Sequence, residues 1–260
     1  MERSVIFSMA EVVRFAIVLS RVAGIMVFAP FFNGRAIPAQ VRIFLALIIT
    51  LTLAPALSLG RIPAGYGINQ MVSAAIGEII LGMVLGLTAS FVFAGMEMAG
   101  QIIGFQLGFS LVNVIDPQSE VEVTVISFLE NYIGLLFFLM INGHHWFLIA
   151  ISDSLNYFPI GGVRLKGPVV YELIRLSSQI VVSGLQIAGP VVAVAVIADV
   201  VLGIIGRTAP QLHIIVVGMP LKMLVGISIL SISFYFFPSL LGETYTQLFR
   251  NLFSLLHAMT

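Results

Sequence analysis

The sequence has no cysteine and few charged residues. Among its 260 residues, 9% are charged, with 12 basic and 12 acidic residues that cancel to a net charge of zero. The absence of cysteine excludes disulfides, thiol nucleophiles and thiolate metal sites. The balanced charge leaves no electrostatic footprint for a nucleic-acid partner, so none is expected. Low charge combined with high apolar content also excludes a disordered chain.

Apolar residues dominate what is present. They make up 59% of the chain, and the mean hydropathy is +1.11. At roughly 20 apolar residues per membrane-spanning helix, the chain could supply about six spans. The runs are too long and continuous for a β-barrel, and Gly/Pro-rich breaks separate them. We predict an all-α, multi-pass integral membrane protein with about six apolar segments, at 12–32, 43–59, 71–99, 123–151, 169–205 and 214–241.

Prolines interrupt several of these segments. Pro190 lies inside the longest one, where it is expected to kink or break a helix. Pro30, Pro55, Pro220 and Pro238 also fall within or at the ends of apolar runs. Broken helices are tolerated at membrane depth only where other protein covers the freed backbone groups. The pattern therefore indicates burial against protein.

Charged side chains also occur within the apolar segments. In the first segment, charged residues cost roughly 2.5–3.5 kcal/mol each at a helix centre, which nearly cancels the apolar gain. One interpretation is buried ion pairs between packed helices; the others are a proton or ion relay and snorkelling to the interface. Snorkelling candidates are Glu11 and Glu97. The ion-pair candidates are Arg14, Arg21, Glu78, Glu97, Glu130, Asp199 and Lys222.

Glycines recur at four-residue spacing in the middle of the chain. Gly100, Gly104 and Gly108 would line one face of a helix and let another backbone approach closely. Because each glycine weakens a helix by up to about 1 kcal/mol, the same string could form an adaptable loop that presents Phe105 and Phe109. A second glycine pair, at 82 and 86, favours helix packing.

No catalytic motif is present. Asp116 and Ser119 are interpreted as helix-capping residues near Pro117. His144 and His145 are adjacent, so they would diverge by about 100° on a helix and could not readily share a metal. We expect buried or interfacial histidines satisfied by helix neighbours, with no enzymatic activity, metal or cofactor.

The central strings resemble those of the FliR family, the flagellar member of the export-gate proteins of type III secretion systems. In that family a GxxxGF stretch precedes an Asp-Pro motif, and an apolar run then ends in Asn/Asp-Gly-His-His. The N-terminal run RVAGIMVFAPFFNGRAIPAQVR fits as well. The matching positions are Gly100, Gly104, Phe105, Gly108, Asp116, Pro117, Asn142, Gly143, His144, His145, Ser154, Pro159 and Gly161.

The resemblance implies a subunit of a helical hetero-oligomeric export gate built from kinked helical hairpins. Residues 1–180 would be similar to the P component, and 181–260 to the helical hairpin of the Q component. A central loop at about 100–118 would help to plug the pore. The implied partners are the P and Q subunits, the membrane switch protein FlhB, membrane lipid and unfolded flagellar export substrates. The implied location is the flagellar basal body in the bacterial inner membrane.

Two alternatives stay open from the sequence. An injectisome relative would share the architecture, although such relatives usually lack the Gly-His-His string found here at 143–145. A secondary transporter would use Glu78, Glu97, Glu130 or Asp199 as a proton site. The absence of a convincing inverted repeat counts against the transporter.

Overall fold

Helices account for all the regular secondary structure in the described part of the chain. The computed structural model describes residues 9–33, 37–56, 67–109, 124–158, 167–209 and 214–259. The all-α class predicted from the sequence is confirmed there. In chain order the helices are α1 Met9–Phe28, α2 Pro30–Asn33, α3 Ala39–Ala56, α4 Ile68–Gln106, α5 Val125–Met140, α6 Gly143–Tyr157, α7 Gly167–Thr208, α8 Ile214–Ser233 and α9 Phe237–Met259.

Breaks divide three of the six apolar segments into pairs of helices, and in the first segment the break is at Ala29, between α1 and α2. The fourth segment breaks at residues 141–142, between α5 and α6, and the sixth breaks at 234–236, between α8 and α9. Asn142 has a φ of 57°, a left-handed conformation that asparagine tolerates better than most residues and that a helix cannot continue through. The chain therefore changes direction inside a run that hydropathy alone shows as continuous.

Prolines stop a helix at some positions and are accommodated at others. Pro30 is the first residue of α2, and Pro238 lies in the first turn of α9, where a missing N–H costs little. Pro190 and Pro220 instead lie inside the continuous helices α7 and α8. Of the kink or break expected at Pro190, the break is wrong, because α7 is continuous there. Glycine precedes Pro190, so the proline ring meets no Cβ on the residue before it.

Fewer than six segments meet the criteria for a membrane span. Among the described residues, α4 and the part of α7 at Val169–Thr208 are long and apolar enough to cross a bilayer, and counting each bent helix pair as one span gives up to four. Helix α1 is among those left out, and it carries Glu11, Arg14 and Arg21. The chain is a multi-pass membrane protein, and the number of its apolar segments is not the number of its membrane crossings.

The chain forms two compact units. Unit 1 comprises the described residues of Met1–Ser90, Asn142–Leu176 and Leu248–Thr260, and unit 2 those of Phe91–Ile141 and Ser177–Gln247. In unit 1, α1 packs against α3. In unit 2, Phe93, Phe138 and Tyr245 form an aromatic core with ring centroids 5.4–6.1 Å apart. These units differ from a division at residue 180, which rests on likeness to the P and Q components rather than on compactness.

Candidate functional site

A buried charge cluster lies in unit 1 around Arg21 of α1. Its Nε donates to Glu78 Oε2 of α4 at 2.5 Å. Nη1 donates to Ser154 Oγ of α6 at 3.1 Å, and Nη2 donates to the Phe158 carbonyl at 3.0 Å. The Arg21 and Glu78 side chains are 0% and 1% exposed. The guanidinium thus has one charged and two neutral acceptors in a site without water access, the arrangement that a buried cation requires.

Glycines bring the two helices of this cluster together. A Cβ on Gly82 of α4 would collide with the backbone of Arg21, and one on Gly86 would lie 2.7 Å from the Ile25 carbonyl. On the α1 side, a Cβ on Gly24 would lie 2.5 Å from the Ile79 carbonyl. The small-residue packing face predicted at 82 and 86 is confirmed. Because the backbones of α1 and α4 approach closely, the Glu78 side chain is within reach of Arg21.

In unit 2, the glycine ladder ends α4 and packs on the start of α5. Cβ atoms on Gly100 and Gly104 would collide with Ser127 and Thr124. Thr124 Oγ1 donates to the Gly100 carbonyl at 3.1 Å, and Ser127 Oγ donates to the Glu97 carbonyl at 3.1 Å. Thr124 is also the N-cap of α5, since its Oγ1 accepts from the Ser127 N–H at 3.2 Å.

The third glycine of the ladder ends the helix. Gly108 has a φ of 86° and its N–H donates to the Phe105 carbonyl at 3.1 Å. The Phe109 N–H donates to the Gly104 carbonyl at 2.9 Å. This pair of hydrogen bonds around a left-handed glycine is a Schellman motif. The Phe105 side chain, just before the stop, is 73% exposed.

The structure describes only the first part of the segment predicted as a plug. Residues 100–106 are helical and 107–109 form a turn. Asp116 and Pro117, with the remainder of the segment from 110 to 118, lie outside the described residues, as does Ser119, the other residue interpreted as a helix cap. A role for Gly100, Gly104, Phe105, Gly108 and Phe109 in closing a pore therefore stays a prediction.

The other charged residues have varied environments. Asp199 of α7 and Lys222 of α8 form a partly exposed pair at 2.7 Å. Glu130 of α5 is buried, and neither of its carboxylate oxygens has a hydrogen-bond partner among the described residues. Arg14 is half-buried with its Nε similarly unpartnered there, and the Glu97 side chain is half-buried.

Comparison with known proteins gives the chain its family. Residues 12–248 match the family described as bacterial export proteins, family 1. The flagellar biosynthetic protein FliR of Escherichia coli (strain K12) is 35% identical over 213 residues, covering 82% of this chain and 81% of that protein. The chain belongs to the FliR family of bacterial export proteins. The FliR of Bacillus subtilis (strain 168) is 34% identical, covering 81% of this chain and 82% of the relative.

The FliR-family resemblance is therefore confirmed, and part of its histidine string can be located. Asn142 forms the left-handed bend before α6, and its carbonyl accepts from the His145 N–H at 2.9 Å. Gly143 is buried, whereas His144 and His145 are both exposed. Within this chain neither histidine is buried, because both lie on the outer face of the first turn of α6, and the expectation that they are buried or interfacial stays a prediction for the assembled protein. In the described residues no three His, Asp or Glu side chains gather as metal ligands.

Sequence reasoning missed the neutral partners of the charged groups. In the sequence Ser154 stands out only as part of the family string, yet its hydroxyl accepts from Arg21 and donates to the Ile151 carbonyl at 2.7 Å. Thr124 and Ser127 were not singled out at all, although both contact the glycine ladder. A serine or threonine at helical spacing within an apolar run is the signal that would have marked such positions.

Proposed function

We propose that this protein is a structural and gating component of the flagellar type III export channel in the bacterial inner membrane, required for flagellum assembly. The observation that carries this proposal is the match over residues 12–248 to a family of bacterial export proteins. Relatives from distant bacteria that share its length all have the name flagellar biosynthetic protein FliR. Such a subunit is not an enzyme; it acts by assembling and by opening and closing a path.

Exposed apolar surface supports a role inside a larger assembly. In the most apolar 18-residue stretch of α7, only 22% of the stretch is buried within the chain. The P and Q subunits, the membrane switch protein FlhB and lipid would together cover such helices. In this proposal residues 1–180 act as the P-like part and residues 181–260 as the Q-like hairpin.

Two aromatic residues at the end of α4 would supply the gate. Phe105 is exposed although it is large and apolar, and Phe109 directly follows the left-handed Gly108. A phenylalanine at such a place gains stability only when it packs against something beyond this unit, such as an aromatic or aliphatic constriction. Closing a narrow pore with apolar side chains would exclude water and ions, while unfolded flagellar substrates pass when the segment moves aside.

Assembly and motility test the structural part of the proposal. Deletion of the gene should abolish motility, a copy of this chain should restore it, and tagged chain should co-purify with the P and Q subunits. Restoration of secretion by an injectisome in place of motility would favour the injectisome alternative. Purification as a stable, functional monomer that drives substrate-coupled proton flux in proteoliposomes would overturn the proposal in favour of a transporter.

Ion leak tests the gating part. The double variant Phe105→Ala/Phe109→Ala should raise the leak of ions through the assembled gate in a planar bilayer, because both aromatic rings are lost. A matched control is Tyr235→Ala/Phe236→Ala, since these rings are also exposed but lie in the turn between α8 and α9. Unchanged conductance in the first variant would place the gate elsewhere in the assembly.

A further inference from the structure

The last helical residue of the glycine ladder is tied to a salt bridge on two other helices. Gln106 Nε2 donates to Asp199 Oδ2 at 3.3 Å. The same carboxylate oxygen accepts from Lys222 Nζ at 2.7 Å. Asp199 belongs to α7 and Lys222 to α8, so one oxygen atom joins the end of α4 to both. All three residues lie in unit 2.

The next residue makes an apolar contact with α8. Leu107 is 1% exposed, and a Cβ built on Gly226 would collide with its side chain. Gly226 is one helical turn beyond Lys222, so the polar and apolar contacts are on the same face of α8. Directly after Leu107 the backbone turns at Gly108, which has a φ of 86° and lies within the segment at about 100–118 proposed to close the pore.

We propose that Gln106, Leu107, Asp199, Lys222 and Gly226 form a latch that holds the base of the pore-closing segment against helices α7 and α8. This inference rests on the gating function proposed above. Asp199 and Lys222 are positioning residues: they touch no transported substrate but fix where the segment begins. Loosening the latch frees the base of the segment and with it the position of Phe105.

The latch is weak enough to act as a controllable contact. The Asp199 side chain is 48% exposed and that of Lys222 is 16% exposed, so this chain encloses the pair only in part. We expect its loss to shift the ratio of latched to unlatched gates about fivefold, which corresponds to about 1 kcal/mol at 1.4 kcal/mol per factor of ten. At low open probability the mean leak current is proportional to the unlatched fraction, so it should rise by the same factor.

A charge exchange distinguishes positioning from mere structure. In gates assembled with their partner subunits, Asp199→Ala and Lys222→Ala should each raise the leak about fivefold. The double variant Asp199→Lys/Lys222→Asp should bring it back toward the native value, because the pair re-forms and the amide of Gln106 can rotate to present its oxygen. A leak that stays high in the exchanged variant, or that never rises in the single variants, would overturn the latch.

A matched control exists on the same helix. Glu172 and Arg175 of α7 form a partly exposed ion pair three residues apart in unit 1, whereas the latch residues belong to unit 2. The variant Glu172→Ala/Arg175→Ala should leave the leak unchanged. If it raised the leak as much as Asp199→Ala does, any charge loss on α7 would suffice and the latch would be refuted.

Changes at Gln106 keep the test decisive if the Asp199 variants do not assemble. Gln106→Leu removes the hydrogen bond without stranding a charge and should raise the leak about twofold to threefold. Gln106→Glu places a second carboxylate beside Asp199 and should raise it further, through like-charge repulsion. Equal leaks in both variants would contradict the proposal. If Phe105→Ala/Phe109→Ala leaks while all latch variants are tight, the latch fails and the gating function stands.

Discussion

For the buried pair of Arg21 and Glu78 we predict that the effect of Arg21→Met on the free energy of unfolding changes sign when Glu78 is replaced by leucine. Glu78→Leu leaves the guanidinium at 0% exposure with two neutral acceptors among the described residues, Ser154 Oγ and the Phe158 carbonyl. Breaking a buried pair in this way costs about 3–5 kcal/mol. The folded-to-unfolded ratio should therefore fall between about 100-fold and a few thousand-fold.

Removing the stranded cation should then restore stability. Arg21→Met is expected to destabilise the native chain but to stabilise the Glu78→Leu chain, because an apolar pair of similar volume avoids the desolvation of two charges. A residual cost of about 1–3 kcal/mol should remain, since the Phe158 carbonyl loses a donor. Ser154 loses less, because its hydroxyl still donates to the Ile151 carbonyl.

The chain offers its own probe for this experiment. Trp146 is the single tryptophan and belongs to the same unit as the pair, with its ring 5.8 Å from that of Phe249. Its fluorescence can follow unfolding of the full chain in lipid–detergent micelles. Glu172→Leu, at the exposed pair with Arg175, is the matched control and should cost less than about 1 kcal/mol. If Arg21→Met lowered stability further in the Glu78→Leu background, the buried-charge reasoning would be refuted.

Three further predictions concern stability and can be measured from helical circular dichroism during unfolding. Gly82→Val should destabilise by about 1–3 kcal/mol or more, because its Cβ would meet backbone, whereas Gly242→Ala, with open space around it, should stabilise by about 0.5–1 kcal/mol. Glu130→Leu should stabilise the chain, the opposite sign to Glu78→Leu, because the buried carboxylate has no described partner. Tyr245→Phe should cost about 0.5–1.5 kcal/mol by removing a 2.9 Å hydrogen bond to a helix carbonyl.

Local sequence signals predicted the helices and some of their contacts. Apolar runs and Gly/Pro breaks located the segments, because hydropathy and backbone preference are local properties. Spacing alone identified the packing face at Gly82 and Gly86, since residues four apart share a helix face whatever the partner. The same reasoning placed Gly100 and Gly104 on one face but left open whether they were helical, because each glycine weakens the helix that it would help to pack.

Local sequence signals could not predict which residues far apart in the sequence contact each other. Nothing in the apolar run around Arg21 indicates that Glu78, rather than Glu97 or Glu130, is its partner, because pairing depends on which helices meet. Pro190 was expected to kink or break a helix, and no break occurs because α7 continues through it; neighbouring residues decide whether a lost hydrogen bond matters. The exposure of His144 likewise depends on where the bend at Asn142 turns the helix.

In a chain this apolar, its polar residues and glycines specify which helices pair. Leucine and valine gain as much against lipid as against another helix, so they do not select a neighbour. A buried arginine that needs an acceptor, or a glycine that leaves room for another backbone, does select a neighbouring helix, because only one partner surface satisfies that need. Helix α1 has three charges, buries Val18, Val22 and Ile25, and its backbone at Arg21 lies against Gly82 of α4. It is therefore built for contact with protein, whereas α7, mostly uncovered within the chain, is left for lipid and for partner subunits.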